Sequence, residues 1–199
     1  MSKTAWIVIG VIFIVIFAAI SWGIKTGNKM VTKEEAVSSA WSQVENVYQR
    51  RADLIPNLVA TVKGYAAHEN ETLTAVVEAR AKASSITVDP TKLSAESIQQ
   101  FQQAQGGLSQ ALGRLMVVVE KYPDLKANEN FLQLQAQLEG TENRITNERM
   151  KFNQIAQEFN TYIRMFPESI IASMRNFEKK AYFEAEKGSE KAPKVDFTK

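Results

Sequence analysis

Two stretches of the sequence carry side chains of the kinds that do chemistry. The first is His68-Glu69, which begins like the helix of a zinc peptidase. That helix needs a second histidine one turn later, and position 72 is Thr72. With one histidine in the chain, a paired-histidine metal site is excluded, and His68 reads as a helix-end or turn residue. Cysteine is absent, which removes thiolate nucleophiles, disulfides, Cys-type zinc and iron–sulfur sites and a lipidated N-terminal cysteine. The many serines lie in no Gly-x-Ser-x-Gly turn, so no catalytic triad can be assembled. Gly106-Gly107 lacks the spacing and lysine of a phosphate loop and marks close helix packing or a local weakness. No catalytic, cofactor-binding or metal-ligating residue is expected.

The second stretch is Arg50-Arg51-Ala52-Asp53-Leu54-Ile55-Pro56-Asn57, where two arginines and an aspartate sit on or beside an apolar helix seam. A desolvated guanidinium needs an acidic partner. If the first and last long helices are antiparallel, with Lys33 level with Met165, Arg51 comes level with Asn147 and Glu148. Arg50, Arg51, Asp53, Glu142 and Glu148 therefore read as a structural polar layer, in which Arg51 pairs with Glu148 or with Glu142. A ligand or partner site is the alternative. Gln99, Gln100, Gln102, Gln103, Gln110, Gln133, Gln135 and Gln137 form a polar surface of little charge. Such a surface is solvated, or suits side-by-side packing of copies that a like-charged face would repel.

These residues are positioned by helices throughout. Ala5 to Ile24 runs twenty residues without a charge, about 30 Å as a helix, which matches the hydrocarbon thickness of a bilayer. Trp6 and Trp22 lie about 24 Å apart along its axis, at the depths of the two interfacial belts, and Lys25 follows. The alternative is a cleaved signal peptide with Ala19-Ile20-Ser21 as its site. Lys25, Lys29, Lys33, Arg50 and Arg51 against Lys3 place the large domain in the cytoplasm and the N-terminus outside.

Residues 25–32 read as a polar linker, and Thr32-Lys33-Glu34-Glu35 as a capping box opening the first bundle helix. Its seam runs through Val37, Trp41, Val44, Tyr48, Ile55, Leu58, Val62 and Tyr65, with a kink expected before Pro56. A second helix is predicted over about 70–85. A third opens near Ser94 with the seam Ile98, Phe101, Gln105, Leu108, Leu112, Leu115 and Val119. The fourth alternates threes and fours from Phe131 to Phe166. The expected architecture is all-α: a transmembrane helix over 5–24, after a short tail 1–4, followed by a long antiparallel up-down-up-down helical bundle over 33–167.

Four helices return the chain to the membrane, where an amphipathic segment over 168–187 presents Ile170, Ile171, Met174 and Phe177, with Arg175, Lys179 and Lys180 around them. These apolar groups are expected in the bilayer interface, or packed on the base of the bundle or on a neighbouring copy. Residues 188–199 read as an extended charged tail in which Val195 and Phe197 could dock.

The chain resembles the LemA family of bacterial membrane proteins over nearly its whole length. The resemblance is carried by Arg50 to Val59 with Val62-Lys63-Gly64-Tyr65, His68-Glu69 and Glu78-Ala79-Arg80. It continues through Tyr122 to Asn128, Gly140 to Ile145, Arg149 to Asn160, Phe166-Pro167, Tyr182 to Ala185 and Pro193 to Phe197. It implies an N-terminal membrane helix, a helical bundle and a place in the bacterial cytoplasmic membrane, and no particular reaction. Magnetosome relatives suggest a role in membrane organisation. The expected function is a membrane-anchored scaffold that self-associates and organises the bilayer or envelope proteins. The alternative is a membrane-tethered adaptor or sensor binding a peptide or small ligand. The partners expected are the lipid bilayer, further copies of the chain and an envelope protein. Nucleic acid is excluded as a partner by the formal charge of +2 from 24 basic and 22 acidic residues.

Overall fold

A computed structural model describes residues 3–184, all helix and connecting segments with no strand among them. The charged tail 188–199 and the last residues of the expected amphipathic segment lie outside the described residues. The described residues begin with α1, Lys3–Tyr65, a 63-residue helix about 95 Å long. From Trp6 to Trp22 it carries no charge and is exposed throughout, as a helix with lipid for solvent must be. It is the one helix among the described residues long and apolar enough to cross a membrane, and it fits a single-pass membrane protein.

From Met30 onward the same helix becomes one-sided. Met30, Val37, Trp41, Val44, Ile55, Leu58 and Val62 are fully buried, spaced as the heptad seam requires. The linker expected over 25–32 is helical, and the capping box expected at Thr32 starts nothing. The Thr32 hydroxyl donates back to the Asn28 carbonyl at 3.1 Å, as a mid-helix threonine does. Polar composition suggested a break there, yet no proline interrupts the run, and Thr26 and Met30 are already packed. Ala19-Ile20-Ser21 therefore lies within a continuous helix.

As expected of Pro56, α1 is not stopped there. Proline offers no N–H to the carbonyl four residues back, Ala52. That carbonyl instead accepts from the guanidinium Nε of Arg80, 2.7 Å away on the next helix. The interrupted backbone is thus satisfied from α2, Asn70–Ser85.

Helix α3, Ala95–Val119, starts at the Ser94 cap, where Ser94 and Ser97 exchange side-chain and backbone bonds. After the short α4, Pro123–Lys126, the Asn128 side chain caps α5, Glu129–Arg164. Helix α5 packs along α1 in the opposite direction: Asn128 bonds the Tyr65 hydroxyl at one end, and Lys33 meets Glu158 at the other. Helices α2 and α3 form the second antiparallel pair.

Two apolar cores result. The one nearer the membrane helix centres on Trp41, ringed by Phe101, Phe152 and Phe183 with centroids 5.3 to 5.6 Å away. The distal one is built from Ile55, Leu58, Val62, Val76, Leu108, Leu115 and Phe131.

Of the amphipathic segment expected over 168–187, only the start is helical. Helix α6 is short, Glu168–Met174. Asn176 then takes a left-handed backbone with φ 57°, and the chain to Glu184 runs without regular secondary structure. This strap lies along α5 and α3 and completes the core around Trp41.

Candidate functional site

Between the two cores runs the polar layer built on Arg51, which is 2% exposed. One terminal nitrogen, Nη1, donates to Glu142 Oε2 and to Ser109 Oγ, each at 2.9 Å. The other, Nη2, donates to the Gln105 side-chain oxygen at 2.8 Å and to its backbone carbonyl at 3.2 Å. The Gln105 amide passes a further bond to the Ala83 carbonyl at 3.3 Å, which ties in α2. Arg51 also stacks against the Tyr48 ring, 5.1 Å from its centroid. Its buried Nε has no hydrogen-bond partner among the described residues.

The register explains each member. On α3, Gln105 separates Phe101 of one core from Leu108 of the other. On α5, Thr141 and Glu142 fall between Leu138 and Ile145. Arg51 occupies the seam slot between Tyr48 and Ile55, so a long cation is forced inward at that level.

Of the residues assigned to this layer from sequence, the structure brings together Arg51 and Glu142 only. Glu148 instead meets Lys151 on its own helix at 2.7 Å. Arg50 and Asp53 are exposed, and Asp53 accepts from Gln49 at 2.8 Å. The expected register put Lys33 opposite Met165. It meets Glu158, one heptad earlier, because the bundle part of α1 begins before residue 33 and α5 extends past it. Gln105 and Ser109 were not assigned, although a glutamine standing on an apolar seam was the visible signal for one of them.

Beside this layer opens a cleft of about 770 Å³, walled by Gln99, Gln102, Gln103, Gly106, Gly107, Gln110 and Arg149, with Tyr48 and Arg51 at its side. Burial pushes the Tyr48 phenol above its ordinary value of 10.0, with Arg149 and Arg51 pulling the other way. It therefore stays a neutral hydroxyl near pH 7. Among the described residues no three histidine or carboxylate groups gather to hold a metal. The layer can orient hydrogen bonds and hold a fixed charge.

A second polar constellation went unassigned in the sequence. Asn160 accepts from the Lys180 backbone N–H at 2.8 Å and donates to its carbonyl at 2.7 Å. One heptad earlier, Asn153 does the same to Phe183, at 2.9 Å both ways. The paired amides fix the strap through its backbone, while Phe183 stacks on Trp41 with their planes 11° apart. Lys180, expected near lipid headgroups, is buried and bonds Glu34 at 2.6 Å and the Thr91 carbonyl at 2.8 Å.

The residues proposed for the membrane interface divide. Trp6, Trp22 and Lys25 are exposed along α1. Ile170 and Met174 are exposed on α6, whereas Ile171 and Phe177 pack against the core around Trp41.

The sequence matches the LemA family over residues 40–197. The protein LemA of Metamycoplasma hominis is 28% identical over 177 residues, covering 88% of this chain and 77% of that protein. The magnetosome protein MamQ of Magnetospirillum gryphiswaldense is 27% identical over 175 residues, 78% of this chain and 64% of its own length. The magnetosome protein MamQ 2 of Paramagnetospirillum magneticum is 27% identical over 199 residues, 90% of this chain and 72% of that one. These names denote no reaction. The matched span takes in the Arg51 layer, the Pro56–Arg80 junction and both strap asparagines, and the chain belongs to the LemA family.

Proposed function

We propose that the protein is a membrane-anchored helical scaffold that self-associates and so organises the bilayer or other envelope proteins. One observation carries this reading: α1 passes from the apolar span into the bundle core without a break. A bundle joined by a flexible linker would sample many orientations. A bundle sharing one continuous helix with its anchor stands at a fixed height and inclination, and so do all copies in the same membrane. Each then presents Gln99, Gln103, Gln110, Gln133 and Gln137, all exposed, at the same level to its neighbours. Uncharged amides at such a face exchange hydrogen bonds without like-charge repulsion.

The chain lies in the bacterial cytoplasmic membrane with its N-terminus outside and the bundle in the cytoplasm, a reading supported by Lys25, Lys29 and Lys33 directly after the span. The magnetosome proteins among its relatives support a role in arranging membranes. The adaptor reading is favoured by the cleft of about 770 Å³ at the Arg51 layer, whose glutamine and arginine walls offer hydrogen bonds to a polar ligand.

Two differently tagged copies expressed together test the scaffold. Extracted in mild detergent, one tag should retrieve the other, and Gln99→Glu, Gln103→Glu and Gln110→Glu together should abolish retrieval. Failure of the unsubstituted pair to co-purify would leave the adaptor reading in its place.

A further inference from the structure

The corner between α5 and α6 carries a cluster that the bundle leaves uncovered. Phe166 is 82% exposed and Met174 75%, and Met165 and Ile170 beside them are exposed as well. Large apolar groups gathered in so short a stretch are unusual on a solvated surface. Other parts of the same stretch are packed: Ile171 and Phe177 join the core around Trp41, and Ala172 is buried. The exposed residues are therefore a surface distinct from the one that holds α6 in place.

Two relationships fix the height of this corner on α1. Ile171 lies against Gly23, where a Cβ would come 3.4 Å from its Cδ1, and the Arg175 guanidinium fills the space a Cβ would take at Gly27. Helix α6 thus runs alongside α1 in the same direction, with its beginning toward the membrane span. From the other side, the Tyr162 ring on α5 lies under Lys29, 4.9 Å from its ammonium, and α5 descends from there to Arg164. Both place Phe166 and Ile170 level with the last turn of the apolar run, where Trp22 and Ile24 are exposed. Lys25, Lys29, Arg164 and Arg175 are exposed around this level. Two acidic groups accompany them, Glu168, which acts on the Tyr162 phenol, and Glu178.

We propose that the α5–α6 corner is a second membrane-contact surface, entering the interface of the leaflet from which α1 emerges. Phe166, Met165, Ile170 and Met174 occupy the boundary of headgroups and acyl chains, and the exposed cations meet lipid phosphates. The occupant is lipid because the cluster continues the exposed apolar surface of the span at the same depth. A single helix leaves its bundle free to turn about the helix axis. A second contact on one side sets which face looks along the membrane, and so which face a neighbouring copy meets.

The chain has no cysteine, so single labelling sites can be introduced without background. Full-length Phe166→Cys and Met174→Cys are spin-labelled in dilute bilayers containing anionic lipid, with Phe13→Cys in the span and Met150→Cys on the exposed middle of α5 as references. Collisions with dissolved oxygen and with a water-soluble nickel chelate are then measured. At 166 and 174 the label should lose nickel collisions and gain oxygen collisions relative to 150, approaching the label at 13. Nickel access at both sites equal to that at 150 would overturn the proposal. Protection from both reagents would also overturn it, because the surface would then be covered by protein.

Discussion

The Nε–H of Arg80 donates at 2.7 Å to the carbonyl of Ala52, the carbonyl that Pro56 leaves without its helical partner. One helix is interrupted by proline and its neighbour supplies the missing donor. Arg80→Ala should therefore orphan a half-buried carbonyl and destabilise the bundle by about 1 to 3 kcal/mol. Pro56→Ala restores the N–H, so in that background the same substitution should cost distinctly less. Urea unfolding of the four proteins of this cycle, followed by far-UV circular dichroism in detergent, measures the coupling. Equal costs in both backgrounds would show that Arg80 stabilises by other contacts.

The Arg51 layer makes an asymmetric prediction about two glutamates six positions apart. Glu142→Ala leaves a buried guanidinium without its carboxylate. Breaking a fully buried pair costs about 3 to 5 kcal/mol, and since the Glu142 side chain is 56% exposed we expect about 1 to 3. Glu148→Ala removes only a contact with Lys151 three residues on, and should stay within about 0.5 kcal/mol. Midpoints of chemical unfolding compare them directly. A larger effect at Glu148 would contradict the register described for α1 and α5.

Asn160 holds both backbone groups of Lys180. Asn160→Ala should release the strap before it unfolds the helices, exposing Lys180, now 5% accessible, to trypsin. Cleavage after Lys180 should rise sharply relative to cleavage after exposed Lys151, with helicity retained. Phe183→Ala should act in the same direction by removing the ring stacked on Trp41. Unchanged cleavage in both variants would mean that the strap is held by neither.

What was legible in the sequence follows from the range of the signal. The apolar run, the seams through Trp41 and Ile145 and the helix start near Ser94 are local patterns, and α2 and α3 stand where those patterns place them. The packing of α1 around residues 25–32 involves partners 148 positions further along, Ile171 against Gly23 and Arg175 against Gly27, which no local pattern displays. That Arg51 required an acidic partner was legible from its seam position. Which glutamate answered it was not, because a one-heptad slip between α1 and α5 leaves the apolar pattern of both unchanged. Lys180 was misread for a related reason: a lysine beside an apolar face looks like a headgroup ligand until Glu34 and the Thr91 carbonyl are known to converge on it.

A rigidly anchored bundle that associates with its own copies should be larger than one chain once extracted. The mass of the protein in mild detergent at micromolar concentration, by light scattering corrected for bound detergent, is the decisive quantity. A discrete multiple of the single-chain mass is expected, falling to that of one chain when Gln99, Gln103 and Gln110 are all replaced by glutamate. A single chain at every concentration measured, before any substitution is made, would contradict it.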